Sequence, residues 1–387
     1  MSNKWALIVS GVVIVAIAVL GVSLVSVGGG DELGATTALA VAEVDYDAYA
    51  QADAPYDWEF PADFGAHPDY LTEWWYYTGN VATEDGRRFG YQFTIFRRAI
   101  QPEGVGSESE FRTNQVYLAH FTVSDIADNA FYHEERFSRE GAGLAGATVD
   151  PLYRVWVEDW EILAQNDDAS LVEINAETDD FAIAMTLEQM KAPALQGEDG
   201  LSAKSGEEGN ASYYYTLSRL ETTGTITIGN ETFAVTGNTW KDHEFSTSAL
   251  GDGAQGWDWF GLIFDDNTEL MVGQIRLTDG GVEPAFGGLM IYPDGSTEYL
   301  PSESFTIEAT DTWTSPHTDA TYPAGWEITV TTSEGTFTIQ VDPLMADQEL
   351  ADTDPVYWEG AVAVSGDKTG YGYAELTGYV GTMQNRF

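Results

Sequence analysis

The chain has 387 residues, with 63 Asp and Glu against 16 Lys and Arg, and a formal net charge of −47. Such a surface has no basic footprint with which to displace counterions from phosphates, so duplex DNA and RNA are excluded as partners. The 12 Trp, 20 Tyr and 18 Phe exclude a disordered acidic tail, and the absence of Cys removes disulfides, thiolate metal sites and Cys nucleophiles.

With five Lys beside eleven Arg, the acidic excess reads as a salt-adapted skin. In dilute buffer it repels itself; in concentrated salt it is screened and stays hydrated. The first element is the uncharged run from Trp5 to Val27, whose 23 residues at helical rise reach about 34 Å and exceed a bilayer core. A spanning helix is predicted there, leaving Lys4 inside and the rest exported. A cleaved signal peptide is the rival, with Ala38-Leu39-Ala40 as a possible cut. Residues 28–55 are small and acidic without apolar periodicity and read as a tether.

The folded part is predicted from about residue 56. Trp74 to Val81, the turn Glu84-Asp85-Gly86 and the alternating Phe89, Tyr91, Phe93 and Ile95 form a hairpin signature. Similar units recur around residues 116–137, 224–237, 256–277, 288–300 and 326–341. Asp180 to Lys191 is the best helical stripe, but its alternation Phe181, Ile183, Met185, Leu187 suits a strand equally well. The expectation is an all-β protein of two antiparallel barrels, 56–235 and 236–387. A weak repeat supports it: residues 73–98 and 256–276 both start with an aromatic-rich strand, cross an acidic turn and end on Arg.

The densest chemical cluster is Trp240-Lys241-Asp242-His243-Glu244-Phe245, followed by Trp257-Asp258-Trp259. Strand parity puts Trp240, Asp242 and Glu244 on one face and Lys241, His243 and Phe245 on the other. The partner of His243 is therefore sought on another strand, at Asp258 or Glu73. Grouped carboxylates and a His mark a place where pKa values are tuned; a satisfied core His is the plainer alternative. A second cluster spans residues 67–80, where Glu73, Trp75 and Tyr77 share a face opposite Trp74 and Tyr76. Tyr91 and His120 are further ligand-wall candidates. The five His (His67, His120, His133, His243, His317) show no paired spacing, so no metal is expected, and no phosphate loop implies a nucleotide cofactor.

Together "HPDYLTEWWYYTGN", "WKDHEFS" with "GWDWFGLIF", and "YWEGAVAVSGDKTGYGYAELTGY" resemble the lipocalin-like family of carotenoid 1,2-hydratases and AttH-like proteins, over about residues 57–379. The resemblance implies two lipocalin-like barrels, preceded here by one transmembrane helix, with a ligand cleft within or between them. It also implies a greasy unsaturated substrate, an isoprenoid or similar lipid. The resemblance and the clustering suggest His243 as the acid for alkene hydration and Asp242 or Asp258 as the base, with Glu244 and Glu73 nearby. Trp240, Trp257, Trp259, Trp74 and Trp75 would form a cation-stabilising wall. Phe245 stands where the family pattern has Trp and gives up an indole donor. A non-catalytic carrier of lipophilic ligands at a membrane face, or a structural surface module, are the readings from other classes.

Overall fold

The computed structural model describes residues 45–102, 113–247 and 250–383. The anchor expected at residues 5–27 and the tether up to residue 44 lie outside these residues. Among the described residues no helix is long and apolar enough to cross a membrane. Within the rest of the expected tether the chain is already docked: Thr247 Oγ1 donates to the Ala50 carbonyl, Tyr213 Oη to the Ala54 carbonyl, and Ala52 is buried.

The first sheet comprises β1 (Thr72–Ala82), β2 (Arg88–Ala99), β3 (Gln115–Asp125), β4 (Ala130–Arg139), β5 (Ala145–Thr148), β6 (Arg154–Val157), β7 (Trp160–Ala164), β8 (Leu171–Glu177), β9 (Phe181–Gln189), β10 (Ala194–Leu195), β11 (Leu201–Ala203), β12 (Ala211–Ile228) and β13 (Glu231–Ser246). Its order is β4-β3-β2-β1-β13-β12-β9-β8-β7-β6-β5, with β10 and β11 on β12. The seam expected at 235/236 falls inside β13, which pairs with both β1 and β12, so this sheet runs on to Ser246.

The second sheet uses β14 (Ala254–Phe264), β15 (Glu269–Leu277), β16 (Gly288–Ile291), β17 (Thr297–Leu300), β18 (Phe305–Ala309), β21 (Trp326–Thr332), β22 (Gly335–Pro343), β23 (Glu349–Leu350), β24 (Tyr357–Gly366) and β25 (Gly370–Leu376); β19 (Thr312–Thr314) and β20 (Thr321–Pro323) form a separate ribbon. Its order is β17-β16-β15-β14-β25-β24-β22-β21-β18. In both sheets a four-strand meander opens the unit and the last strand returns beside the first, β13 on β1 and β25 on β14. That shared topology is the structural form of the repeat seen in the sequence.

Each sheet curls into a nearly closed barrel because alternate residues along every strand must leave water. Phe89, Tyr91, Phe93 and Ile95 all point into the first barrel, and β9 is a strand whose Phe181, Ile183, Met185 and Leu187 face the same core. Phe260, Leu262, Trp326, Ile328 and Trp358 fill the second. The two barrels pack through outer faces of β1, β2, β12 and β13 against those of β14, β24 and β25, where a third apolar cluster draws on both. Approach is close: a Cβ at Gly90 would lie 2.7 Å from both the Ala361 Cβ and the Tyr373 hydroxyl. Polar clamps add direction, including Asn80 Nδ2 to the Gly372 carbonyl at 2.8 Å and Ser124 Oγ to Gln348 Oε1 at 2.8 Å.

Candidate active site between the barrels

Register decides which side chains meet. On β13 the pleat sends Trp240, Asp242 and Glu244 outward, toward the second barrel, and Lys241, His243 and Phe245 inward, as parity requires. β1 follows the same rule, with Trp74 and Tyr76 outward and Glu73, Trp75 and Tyr77 inward. Most of the residues singled out in the sequence therefore divide between two places on opposite faces of one strand.

The outer place is an open cleft between the barrels with a cavity volume of about 80 Å³. From the first barrel it is walled by Trp74, Tyr76, Phe96 and Tyr214; from the second by Trp257, Trp259, Phe286 and Tyr357. Into this aromatic lining project Asp242, Glu244, Glu375 and Lys204. Asp242 is buried and takes three donors: Tyr214 Oη at 2.6 Å, Trp240 Nε1 at 2.8 Å and the Thr216 hydroxyl. Burial pushes its carboxyl up to about 7, with these hydrogen bonds acting against the rise and the Glu244 charge adding to it. Glu375 is likewise pushed up to about 7 by burial, with the Asp242 and Glu244 charges adding to the effect. Glu359, opposite Glu375 in the β24–β25 register, accepts from Tyr76 Oη at 2.6 Å and is held well above the carboxylate range by burial and by Glu375. Glu244 is instead bound at 2.6 Å to Lys204 and by the Ser212 hydroxyl.

The inner place is a polar network within the first barrel. His243 Nε2 lies 2.8 Å from Glu73 Oε1, so of the two partners expected, Glu73 is the one it meets. The same oxygen is 2.7 Å from His67 Nδ1, while Arg97 Nε reaches Glu73 Oε2 at 2.7 Å. Burial alone would protonate Glu73, but Arg97 and His67 with the hydrogen bonds of both imidazoles hold it well below the carboxylate range. Burial lowers the His243 pKa to about 3, against the pull of Glu73, so its ring is neutral at physiological pH. For His67, burial is outweighed by Glu73 and Asp63 and the pKa is raised. Trp75 stacks on His243 at 4.9 Å and donates to the Phe64 carbonyl, Phe245 stacks on His67 at 3.6 Å, and Tyr77 meets Tyr153 Oη at 3.2 Å. Tyr91 bonds Thr239 in the same interior.

His67, Glu73 and His243 bring three donor atoms within 4.8 Å of one another. Both imidazole nitrogens already share one carboxylate oxygen at hydrogen-bond distances, and Arg97 brings a fixed positive charge to the other. This donor set fits a hydrogen-bond network rather than a cation.

Two further candidates project into neither place: Asp258 lies apart, and His120 stands behind the cleft walls Phe96 and Tyr357. Asp258 turns away from the cleft to Arg276 Nε at 3.0 Å, Gln274 Nε2 at 2.8 Å and Tyr379 Oη at 2.9 Å. His120 sits at the barrel interface, its Nδ1 2.7 Å from Tyr357 Oη and its Nε2 3.0 Å from Glu135. Sequence reasoning passed over Tyr76, Tyr214, Glu359 and Glu375. The signal for the two glutamates was present: each is the one charged residue of its strand, within a segment already quoted for its resemblance.

The AttH-like family profile matches residues 51–379. A Nitrosomonas europaea protein provisionally called AttH, known from a crystal structure, is 35% identical, with a TM-score of 0.74 over 84% of this chain and 99% of that one. Kievitone hydratase from Nectria haematococca shares the fold at 16% identity, with a TM-score of 0.64 over 86% of this chain and 97% of its own. CghA does so at 11% identity and a TM-score of 0.51, with 86% and 97% covered. No curated protein sequence matches the chain. With most of its length under one profile and a third of its residues shared with a structural relative, this chain belongs to the AttH-like family.

Proposed function

We propose that the cleft between the barrels binds an apolar unsaturated molecule of isoprenoid or similar kind and adds water across a C=C bond. The observation that supports this most is the pairing of an aromatic wall with two carboxyls, Asp242 and Glu375, both held near 7. At neutral pH one can carry a proton while the other is free to accept one, and the two titrate as a pair.

The protonated member delivers its proton to one alkene carbon, leaving a cation on the more substituted carbon. The faces of Trp74, Trp257 and Trp259 stabilise that cation. Water attacks it, and the ionised member takes the proton the water gives up. Electrons and atoms balance, and the carboxyl pair has exchanged roles. Tyr214, Trp240 and Thr216 hold Asp242 in place through its oxygens. His243 belongs to this reading as support behind the wall, since its ring lies on the other side of β13 and is neutral.

Location extends the same proposal: the run from Trp5 to Val27 would hold the chain at a membrane, with the barrels on the exported side, where lipophilic substrates collect. The test uses the full-length protein in high salt with a linear polyene. Product carrying one added water, reduced at least about a hundredfold in Asp242→Asn and Glu375→Gln with ligand binding retained, supports the reading. Polyene bound and recovered unchanged would make the protein a carrier instead.

A further inference from the structure

The interface between the barrels continues past the aromatic cleft. Beyond Trp240 it opens a second cavity, of about 330 Å³, between the outward faces of β1 and β13 and the strands β14 and β25. Trp240 is the partition: its ring lies against Gly261, where a Cβ would come within 3.1 Å of it, and its Nε1 is turned to Asp242 in the cleft. The two spaces share no lining residue. Where the cleft is aromatic, this cavity is polar, lined by Thr78, Asn80, Asn238, Arg88, Arg219 and Tyr371.

In a chain of net charge −47 the cavity carries an excess of positive charge. The half-buried Arg88 guanidinium is stacked 3.6 Å over the Tyr371 ring and forms no ion pair among the described residues. Arg219 Nε lies 2.6 Å from Glu269, but that buried carboxylate also takes Lys191 at 2.7 Å, so two cations share one anion. Asp265, the one acid lining the cavity among the described residues, is exposed and accepts from the Thr369 hydroxyl at 2.6 Å. The walls also lack donors. Asn80 Nδ2 donates to the Gly372 carbonyl at 2.8 Å, which fixes the amide and leaves its Oδ1 without a donor, and Thr78, 2% exposed, has a hydroxyl with no partner. Asn238 stands opposite Asn80 in the β1–β13 register, its amide unengaged among the described residues. Polar groups held this way cost stability until a partner meets them. A ligand that answers all of them brings an anionic oxygen for Arg88 and hydroxyls for the amides and Thr78.

We propose that this cavity is a binding site for a small hydroxylated carboxylate, of the sugar-acid kind. The carboxylate pairs with the planar fork of Arg88, which Tyr371 keeps in place. The hydroxyls donate to Asn80 Oδ1 and accept from Asn238 Nδ2 and from the Thr78 hydroxyl. In dilute buffer the acidic surface repels such an anion; at about 1 M salt that repulsion reaches only ~3 Å, while contacts inside the cavity are screened much less. Binding here uses neither Asp242 nor Glu375, so either proposal can fail without the other.

The experiment is isothermal titration calorimetry of the full-length protein with gluconate, in constant high salt at neutral pH, beside sorbitol, acetate and inorganic phosphate. One gluconate per chain is expected, held at least about tenfold more tightly than sorbitol, which lacks the charge, or acetate, which lacks the hydroxyls. Arg88→Gln is expected to weaken gluconate by about tenfold or more and to leave sorbitol unchanged; Asn238→Ala is expected to weaken gluconate and leave acetate unchanged. Circular dichroism checks that the variants fold, and the ranking of ligands on the unmutated protein stands without them. Gluconate held no more tightly than sorbitol or acetate by the unmutated protein overturns the proposal. So does phosphate held as tightly as gluconate, or a folded Arg88→Gln that binds gluconate undiminished.

Discussion

Replacing Asp242 with Asn removes one ionisable group from the cleft and little else. The amide keeps an oxygen for Trp240 and Thr216, and its NH2 can donate to Tyr214, whose hydroxyl accepts in turn. Holding this carboxyl near 7 instead of 3.8 corresponds to ~4 kcal/mol of preference for the neutral form. Because the folded pKa is the higher one, the folded state binds the proton more tightly than the unfolded state. The wild-type protein therefore loses stability as pH rises from about 4 to about 7, and the loss levels off above that. Asp242→Asn lacks this term, so its stability relative to wild type should climb by up to ~4 kcal/mol across that window and then stay level. Urea unfolding followed by Trp fluorescence in constant high salt measures the difference at each pH; groups that do not interact with Asp242 cancel in it, and Glu375, whose carboxyl the Asp242 charge helps to raise, contributes the coupling between the two. A difference that does not change with pH would refute the assignment of Asp242 as a buried, proton-holding carboxyl.

Glu73→Gln should destabilise the protein by about 3–5 kcal/mol in the same assay, because the buried Arg97 charge is left without its anion; a change under ~1 kcal/mol would contradict the network described. Trp259→Phe shortens the cleft wall and removes the indole donor to Tyr214, so affinity for a polyene should fall about tenfold by fluorescence titration, and unchanged affinity would place the ligand elsewhere. Raising salt from about 0.1 to 1 M shortens the screening length from ~10 to ~3 Å, and with a net charge of −47 the thermal midpoint should rise. A falling midpoint would sink the reading of the acidic surface as salt-adapted.

The barrels were legible because their strands carry period-two alternation between clear turns. Phe89 to Ile95 and Phe181 to Leu187 each determine an inward face without reference to anything distant. The parity of β13 was legible for the same reason, and it correctly separated His243 from Asp242. What periodicity could not supply was which outward faces meet. That the outer face of β1 and β13 packs on β24 and β25 depends on a contact between Tyr76 and Glu359, 283 positions apart. Nothing local in either strand announces that contact, and so Glu359 and Glu375, visible as lone acids in their strands, were given no place in a site, while Asp258 was set beside tryptophans whose face it does not share. The end of the first sheet was misplaced for a related reason: the boundary expected at 235/236 cuts β13, a strand held by its long-range register with β1 and by β12.

The central claim is that the cleft carboxyls transfer protons to and from a bound alkene. The most direct measurement is turnover of a linear polyene by the full-length protein in heavy-oxygen water, read by product mass, beside Asp242→Asn and Glu375→Gln. The account predicts product bearing one heavy oxygen and its near-complete loss in both variants while polyene still binds. Product formed at the unmutated rate in both variants, or polyene bound by the unmutated protein and returned without the label, would contradict it.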